Sequence, residues 1–305
     1  MSIDVVFLGT SGSIPTPERS APCLAIRRLG ELFLFDCGEG AQRQLMRSGL
    51  GFPAKLKIFI SHLHGDHVFG LPGLIHTLSL LDRRAPLEIY GPPGLKAFLS
   101  CVRATVGLKP RFELLVREIG EGIILETRDY VLKAAWVEHS VPTLAYALEE
   151  KPRPGRFHPE KAVKLGIPKG PLWKQLQLGR PIRAPDGRTI MPEEVLGPPR
   201  RGLKIVYSGD TYRSEALVAL AKGADLLVHE CTFDNSLSDR AEEDKHSTPE
   251  VAARTALEAG ARRLALTHIS ARYRDPSILL EQARALFPNT IVAHDLLRIE
   301  LVHED

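Results

Sequence analysis

The sequence predicts an α/β fold: one domain over residues 1–305, with a basic arm inserted at residues 151–203. Three observations carry that expectation. Short apolar runs alternate with amphipathic helical patterns along most of the chain, the signature of strands exchanging with surface helices. Several of the runs are continuously apolar, as strands covered on both faces are. The excess positive charge is confined to one stretch: residues 151–203 hold 12 Lys and Arg against 4 Asp and Glu, while the remainder holds 28 against 33.

Taken in order, Val5-Val6-Phe7-Leu8 opens a strand at 4–9, and Leu32-Phe33-Leu34-Phe35 gives the next at 32–36. A helix follows at 41–48, then the run Lys57-Ile58-Phe59-Ile60-Ser61 as a strand at 57–61 and a longer helix at 68–81. Leu87-Glu88-Ile89-Tyr90 predicts a strand at 87–90, with a helix at 94–106. Strands are expected next at 131–137 and 144–148. Beyond the arm, strands at 204–208, 226–229, 263–267 and 290–293 alternate with helices at 214–221, 249–259 and 276–286. Thr248-Pro249 and Asp275-Pro276 each set a capping residue before a proline suited to the first helical position. Gly260 fits the residue just past a helix end.

The arm reads differently. It carries 10 of the 23 prolines, and only 159–165 and 171–178 look helical. Its few apolar residues predict no independent core, so it is expected to extend from the main domain.

Composition narrows the class. Apolar residues at 44% and charged residues at 25% exclude a disordered or fibrous chain. No run approaches the roughly 18 uncharged apolar residues of a membrane helix. Met1-Ser2-Ile3-Asp4 lacks the basic region of a secretion signal. Cys23, Cys37, Cys101 and Cys231 lie far apart with no C-x-x-C, so a reduced cytoplasm is expected and a cysteine metal site is not.

An internal echo runs through the chain. Leu56-Lys57-Ile58-Phe59-Ile60-Ser61-His62 is like Arg262-Arg263-Leu264-Ala265-Leu266-Thr267-His268, and Phe33–Gly38 is like Ile205–Asp210. In each an apolar strand delivers a polar residue at its carboxyl end. Two related halves packed sheet to sheet would bring those ends together; similarity between generic strands is the other explanation.

The chemistry concentrates in His62-Leu63-His64-Gly65-Asp66-His67, four potential ligands in six residues directly after a strand. His62 and His64 can share one metal while Asp66 and His67 serve another. Imidazole and carboxylate suit Zn2+, with Mn2+ or Fe as alternatives. Gly65 is expected to permit a tight turn.

H-x-H-x-D-H after an apolar strand resembles the metallo-β-lactamase superfamily. Phe7-Leu8-Gly9-Thr10, Phe35-Asp36-Cys37-Gly38-Glu39-Gly40, Ser208-Gly209-Asp210-Thr211, His229-Glu230, His246-Ser247-Thr248 and Thr267-His268 extend the likeness. Together they resemble the ribonuclease Z family of tRNA 3′-processing endonucleases in its short form. The resemblance implies an αββα sandwich with a protruding exosite arm. It implies two Zn2+ ions per subunit, the first on His62, His64 and His139, the second on Asp66, His67 and His268, with Asp210 bridging. It implies that Asp66 orients the attacking hydroxide, and that His246, held by Glu230, protonates the leaving O3′. His229 and the remaining histidines, His76, His158, His294 and His303, are expected to be structural.

Substrate contacts follow the same likeness. Gly166-Ile167-Pro168-Lys169-Gly170-Pro171-Leu172-Trp173 resembles the Gly-Pro motif of the family's exosite arm, which implies that Gly170 and Pro171 help to hold the tRNA elbow. A net charge of +8 with few aromatics suits a folded RNA's backbone. Arg272, four residues past His268, is a candidate for a substrate phosphate or a surface salt bridge. Pro15-Thr16-Pro17-Glu18-Arg19-Ser20 aligns with the family's P-x-K-x-R-N loop, which rejects tRNAs already bearing CCA. Arg19 remains, but Pro17 and Ser20 replace the lysine and asparagine, leaving that rejection open. The expected partner is precursor tRNA, with neither membrane nor DNA, and family members are commonly homodimers. Two other readings stay open here: a small-ester or thioester hydrolase of the same fold, and a non-catalytic RNA-binding module.

Overall fold

The computed structural model describes residues 2–303. Two seven-stranded mixed sheets carry the chain. The first runs, in spatial order, Arg298–Val302, Ser2–Gly9, Cys23–Arg28, Glu31–Phe35, Leu56–Phe59, Leu87–Gly91 and Leu114–Glu118. The second runs Thr290–Val292, Leu264–Thr267, Leu226–Glu230, Lys204–Tyr207, Thr143–Glu150, Tyr130–Val137 and Gly122–Glu126. From Glu31–Phe35 onward the first sheet is parallel, and so is the second from Thr290–Val292 to Lys204–Tyr207. Parallel neighbours end on the same side, so their carboxyl ends line up.

Alternation along the strands sorts residues into layers. Leu32 and Leu34 face outward and join Leu45, Leu71, Leu74, Leu95 and Leu99 from the helices Ala41–Arg47, Gly70–Leu80 and Leu95–Val106. Phe33 and Phe35 face the other way. Phe35 and Phe59 each meet Tyr146 of the second sheet at 5.7 Å between ring centroids, and Phe35 meets Tyr207 at 6.0 Å. The second sheet's outer face packs Val206, Leu227, Leu264 and Leu266 against Leu217, Ala252, Ala253, Ala256 and Leu279 of three more helices. The layers are helix, sheet, sheet, helix: the αββα sandwich expected. Each fully buried leucine contributes roughly 1.5–3 kcal/mol, so the layering rests on the outer clusters as much as on the aromatic seam.

The helix expected at 68–81 is two pieces, Gly65–Val68 and Gly70–Leu80, so the ligand-rich loop itself forms a helical turn. Thr248 caps Pro249–Glu258 as expected, its hydroxyl accepting from Val251 N, and Gly260 follows at φ +61°. At 276–286 the helix is Ser277–Arg284, with Asp275 accepting from the Ser277 amide and hydroxyl. Strands Cys23–Arg28, Leu114–Glu118, Gly122–Glu126 and Arg298–Val302 and helix Ser238–Asp244 were not anticipated. Three of those strands lie at a sheet edge, where solvent replaces the apolar signal; Ile123 is 61% exposed. The hairpin between Cys23–Arg28 and Glu31–Phe35 turns on Leu29 and Gly30 at φ 46° and 79°, a left-handed pair that Asn-Gly would have announced and Leu-Gly does not.

Contacts divide the chain into two compact units. The larger holds both sheets and comprises the chain up to Thr127 with Val131–Glu149 and Lys204–Val302; the smaller is Glu150–Leu203 with Arg128–Tyr130 and His303. The smaller unit corrects the expectation that 151–203 has no core. Ala162, Ile167, Leu176, Ile182, Ile190 and Val195 pack together, and Trp173 donates from Nε1 to Ile167 O at 3.0 Å. Helices Pro159–Lys164 and Pro171–Gln177 and the pair Ile182–Arg183 with Thr189–Ile190 gather apolar residues that lie scattered in sequence. No helix among the described residues is long and apolar enough to cross a membrane.

Candidate metal centre

The carboxyl ends of the central strands meet at one place. Leu56–Phe59 runs into Ser61 and His62; His64 stands at the N-cap of the turn Gly65–Val68, which carries Asp66 and His67. Tyr130–Val137 leads to His139, Lys204–Tyr207 to Asp210, Leu226–Glu230 ends on Glu230, and Leu264–Thr267 leads to His268. Gly65 has ordinary backbone angles and lies under the Phe69 ring: a Cβ there would fall 2.3 Å from it, so that exposed ring would have to move.

Seven side chains converge. His62, His64 and His139 present nitrogens within 4.8 Å of one another, and the ligand atoms of His62, His67 and Asp210, and of Asp66, His67 and His268, are gathered as closely. His64 Nδ1 lies 3.0 Å from His62 Nε2 and 3.3 Å from His139 Nε2. Asp210 Oδ2 lies 3.7 Å from His62 Nε2, 3.3 Å from His67 Nε2 and 3.2 Å from His268 Nε2. Asp66 Oδ2 lies 3.4 Å from His67 Nε2 and 3.5 Å from His268 Nε2, and accepts from the Ser13 amide at 3.0 Å. Asp210 therefore touches imidazoles of both groups.

Hydrogen bonds behind the cluster set which nitrogen each ring presents. His67 donates from Nδ1 to Asp36 Oδ2 at 2.7 Å. Ser61 Oγ donates to the same oxygen at 2.8 Å and so accepts from His62 Nδ1 at 2.9 Å. Thr232 Oγ1 donates to Glu230 Oε2 at 2.9 Å and accepts from His268 Nδ1 at 2.8 Å. His139 donates from Nδ1 to Lys245 O at 3.0 Å. In all four rings Nδ1 is engaged behind and Nε2 faces inward, the arrangement that orients imidazole toward a metal. Nε2 of His67 and of His268 is buried without a hydrogen-bond partner. A buried polar atom left so is costly. Several imidazoles and two carboxylates converging on such atoms fit a divalent metal, with the N/O donor set of zinc, manganese or iron.

The electrostatics agree. Burial pulls His62, His64 and His139 below the ordinary histidine range, favouring the neutral ligand form. Burial would raise the Asp210 carboxyl, but His268 and His67 hold it well below its usual range. His67 is the exception: burial opposes its charge, yet Asp210 and Asp36 hold it well above the ordinary value. His246 stacks on His268 at 5.4 Å between centroids and donates from Nδ1 to Glu230 Oε1 at 2.7 Å. Burial works against its charge, but Glu230 pushes it up to about 9, which favours the protonated ring at neutral pH.

The other expected residues are not among these seven. Arg272 lines a cavity of about 500 Å³ that His246 also lines. Arg19 turns its guanidinium inward, donating to Thr10 Oγ1 and Ala293 O, each at 2.7 Å. Gly170 and Pro171 open the helix Pro171–Gln177 of the smaller unit. His229 is buried, with Nδ1 donating to Glu230 O at 2.8 Å. Sequence reasoning missed Asp36, Ser61, Thr232 and the Lys245 carbonyl. Asp36 was in view, in a motif that carried the resemblance, but no local pattern told it from a turn aspartate.

Residues 3–107 match the family described as Anti-Pycsar protein Apyc1, and residues 189–269 match the Beta-lactamase superfamily domain. Over 298 residues the chain is 47% identical to Ribonuclease Z of Methanosarcina acetivorans, with 97% of each chain covered. The chain belongs to the ribonuclease Z family. It is 45% identical to Ribonuclease Z of Myxococcus xanthus, covering 99% of this chain and 98% of that one. The crystal structure of human tRNase Z, short form, matches with a TM-score of 0.72 at 31% identity, covering 97% of this chain and 98% of that one. Coverage this complete places residues 151–203 inside the length shared with other ribonuclease Z chains.

Proposed function

We propose that the chain is a metal-dependent endoribonuclease that cuts the 3′ trailer from precursor tRNA and leaves a 3′-hydroxyl on the tRNA. The observation that carries the reading is the convergence of seven ligand-type side chains beside His246, whose Nδ1 is held by Glu230. His62, His64 and His139 would hold one ion, Asp66, His67 and His268 a second, with Asp210 between them; zinc is the metal proposed. Bound there, divalent ions supply Lewis acidity and lower the pKa of water toward about 7.

The chain's own groups do the rest. Asp66, anchored by the Ser13 amide, would orient a water or take its proton. His246 holds the proton that the leaving O3′ needs. Glu230 keeps that proton in place and, through Thr232, fixes His268 as well, so acid and ligand share one brace. In an in-line displacement the acid lies opposite the nucleophile, which sets the retained tRNA end on the His246 side of the cluster. The arm, with Gly170 and Pro171, would hold the body of the tRNA through its phosphates. Arg272 would contact a phosphate, and Arg19 would support the loop beside the cut. Assembly as a homodimer in the cytoplasm completes the proposal.

The test is incubation with 3′-extended precursor tRNA, with and without CCA, followed by mapping of both new ends. The expected result is a cut leaving a 3′-hydroxyl, abolished in Asp210→Ala while tRNA binding persists. Cleavage by Asp210→Ala at the parent rate would overturn the metal assignment. A lactonase-type hydrolase would show no product and no salt dependence on RNA.

A further inference from the structure

We propose that Arg240, together with Arg272, forms a clamp for the phosphate on the 5′ side of the nucleotide that carries the leaving O3′. The inference rests on the nuclease reading above and adds a substrate contact to it.

Both arginines are braced on one ring. The Arg272 guanidinium lies 4.8 Å from the Phe233 ring centroid and that of Arg240 lies 5.8 Å from it. Phe233 is only 3% exposed, so the ring is a fixed support rather than a stacking surface for a base. Each arginine spends its Nε on the protein: Arg240 donates to Asp244 Oδ2 at 3.2 Å and Arg272 to Ser270 Oγ at 3.1 Å. Among the described residues their Nη groups meet no hydrogen-bond partner. Two oriented forks with four uncommitted amino groups are what a phosphate's oxygens accept from, and they match a phosphate better than point charges do. Two like charges held on one ring also repel, and an anion between them relieves that repulsion.

Location gives the ligand. Arg240, Arg272, Phe233 and His246 line the same cavity of about 500 Å³, within the usual range for a site holding a nucleotide-sized ligand. Since His246 faces the leaving oxygen, the nucleoside bearing that oxygen fills the space next to it. The next phosphate is then the one toward the tRNA body. Glu243 and Asp244 line the cavity too. Asp244 is tied to Arg240, and with two carboxylates beside two arginines the clamp works through the geometry of the forks rather than through net positive charge. Arg240 sits on the helix Ser238–Asp244, which ends just before His246, so a seated phosphate also fixes the helix that leads to the acid.

The experiment pairs a protein change with a substrate change. Precursor tRNA is prepared with a neutral methylphosphonate at that single linkage. For the parent enzyme, kcat/KM should fall about tenfold on the modified RNA; for Arg240→Ala it should fall about tenfold on normal RNA. Together they should cost no more than the methylphosphonate alone, because the neutral linkage already takes away the charge that Arg240 meets. The salt dependence of kcat/KM should weaken by about one counterion in Arg240→Ala. Arg240→Lys should recover part of the loss, and Asp244→Asn, which keeps the guanidinium, should stay sensitive to the methylphosphonate. Losses that multiply to about a hundredfold, or an unchanged salt slope, would overturn the clamp. No cleavage of any precursor by the parent enzyme would instead overturn the nuclease reading beneath it.

Discussion

Asp36→Asn separates orientation of a ligand from ligation itself. Asp36 is fully buried and takes four hydrogen bonds: Ser61 N at 2.7 Å on Oδ1, and His67 Nδ1 at 2.7 Å, Ser61 Oγ at 2.8 Å and Tyr207 Oη at 2.7 Å on Oδ2. An amide offers one oxygen. In its better orientation it keeps the three donors at Oδ2 and turns its NH2 on the Ser61 amide, so two donors face each other. A buried donor left so costs about 1–3 kcal/mol. The His67 Nδ1 proton keeps an acceptor, but that acceptor loses its charge, so the ring is held less firmly and its Nε2 becomes a weaker metal donor. Loss of such an outer partner lowers metal affinity by about 10–100-fold, or roughly 1.4–2.8 kcal/mol. The measurement is competition for zinc against a chromophoric chelator, with Tyr207→Phe alongside. That second variant removes one donor to Asp36 and leaves His67 bonded, so its affinity should change less than about threefold. If the Asp36→Asn variant binds metal within that same margin, or if the two variants lose equally, the chain from Asp36 through His67 to the metal is wrong.

Glu230→Gln removes the main group that opposes burial at His246, leaving Asp210 as the remaining carboxylate that raises it, and drops its pKa from about 9 toward the ordinary histidine value. An acid works below its pKa, so the alkaline limb of the kcat profile, measured at saturating metal, should move to lower pH by about two units; an unmoved limb would remove His246 from the acid's role. Residues 157–196 can be replaced by a short glycine link, because the Gly197 amide already donates to Arg156 O at 2.8 Å. That variant should lose cleavage of precursor tRNA far more than hydrolysis of bis(p-nitrophenyl) phosphate; equal loss on both would argue against an RNA-holding arm.

What the sequence could show follows from where information sits in it. Strands at 204–208 and 226–229 were legible because burial on both faces makes nearly every residue apolar. The metal loop was legible because its ligands fall within six residues and nothing else accounts for them. His139 and Asp210 were not legible alone: each is one polar residue after a strand, and only the resemblance gave them a role. Asp36, Ser61 and Thr232 act through hydrogen bonds that close across the sandwich, and no spacing along the chain records such partners. The arm's core was missed for a like reason, since its apolar residues come from several short pieces with no common period. Arg19 shows the converse. A motif kept its arginine, yet the guanidinium is fastened to Thr10 and Ala293, a contact with a residue 274 positions away.

The internal echo is half borne out, and the half that fails is informative. His62 and His268, paired by the echo, both reach the cluster, and each presents Nε2 while a hydroxyl holds its Nδ1. The hydroxyls are not counterparts, however. Ser61 precedes His62 directly, whereas His268 uses Thr232, at the end of a different strand, and Thr267 in the place of Ser61 is not the partner. Asp36 and Asp210 likewise follow the strands that the echo pairs, yet Asp36 stands behind His67 and Asp210 stands among the ligands. The carboxylate that matches Asp36 in action is Glu230: each accepts one imidazole directly and steadies a second through a hydroxyl. Sheet-to-sheet packing therefore aligns strand ends in both halves, but the bracing groups occupy different positions on each side. A consequence can be checked. Ser61→Ala should disturb His62 and leave His246 untouched, whereas Thr232→Val should loosen His268 and alter the acid limb through Glu230. Equal shifts of that limb in both variants would mean that the two braces are one connected network.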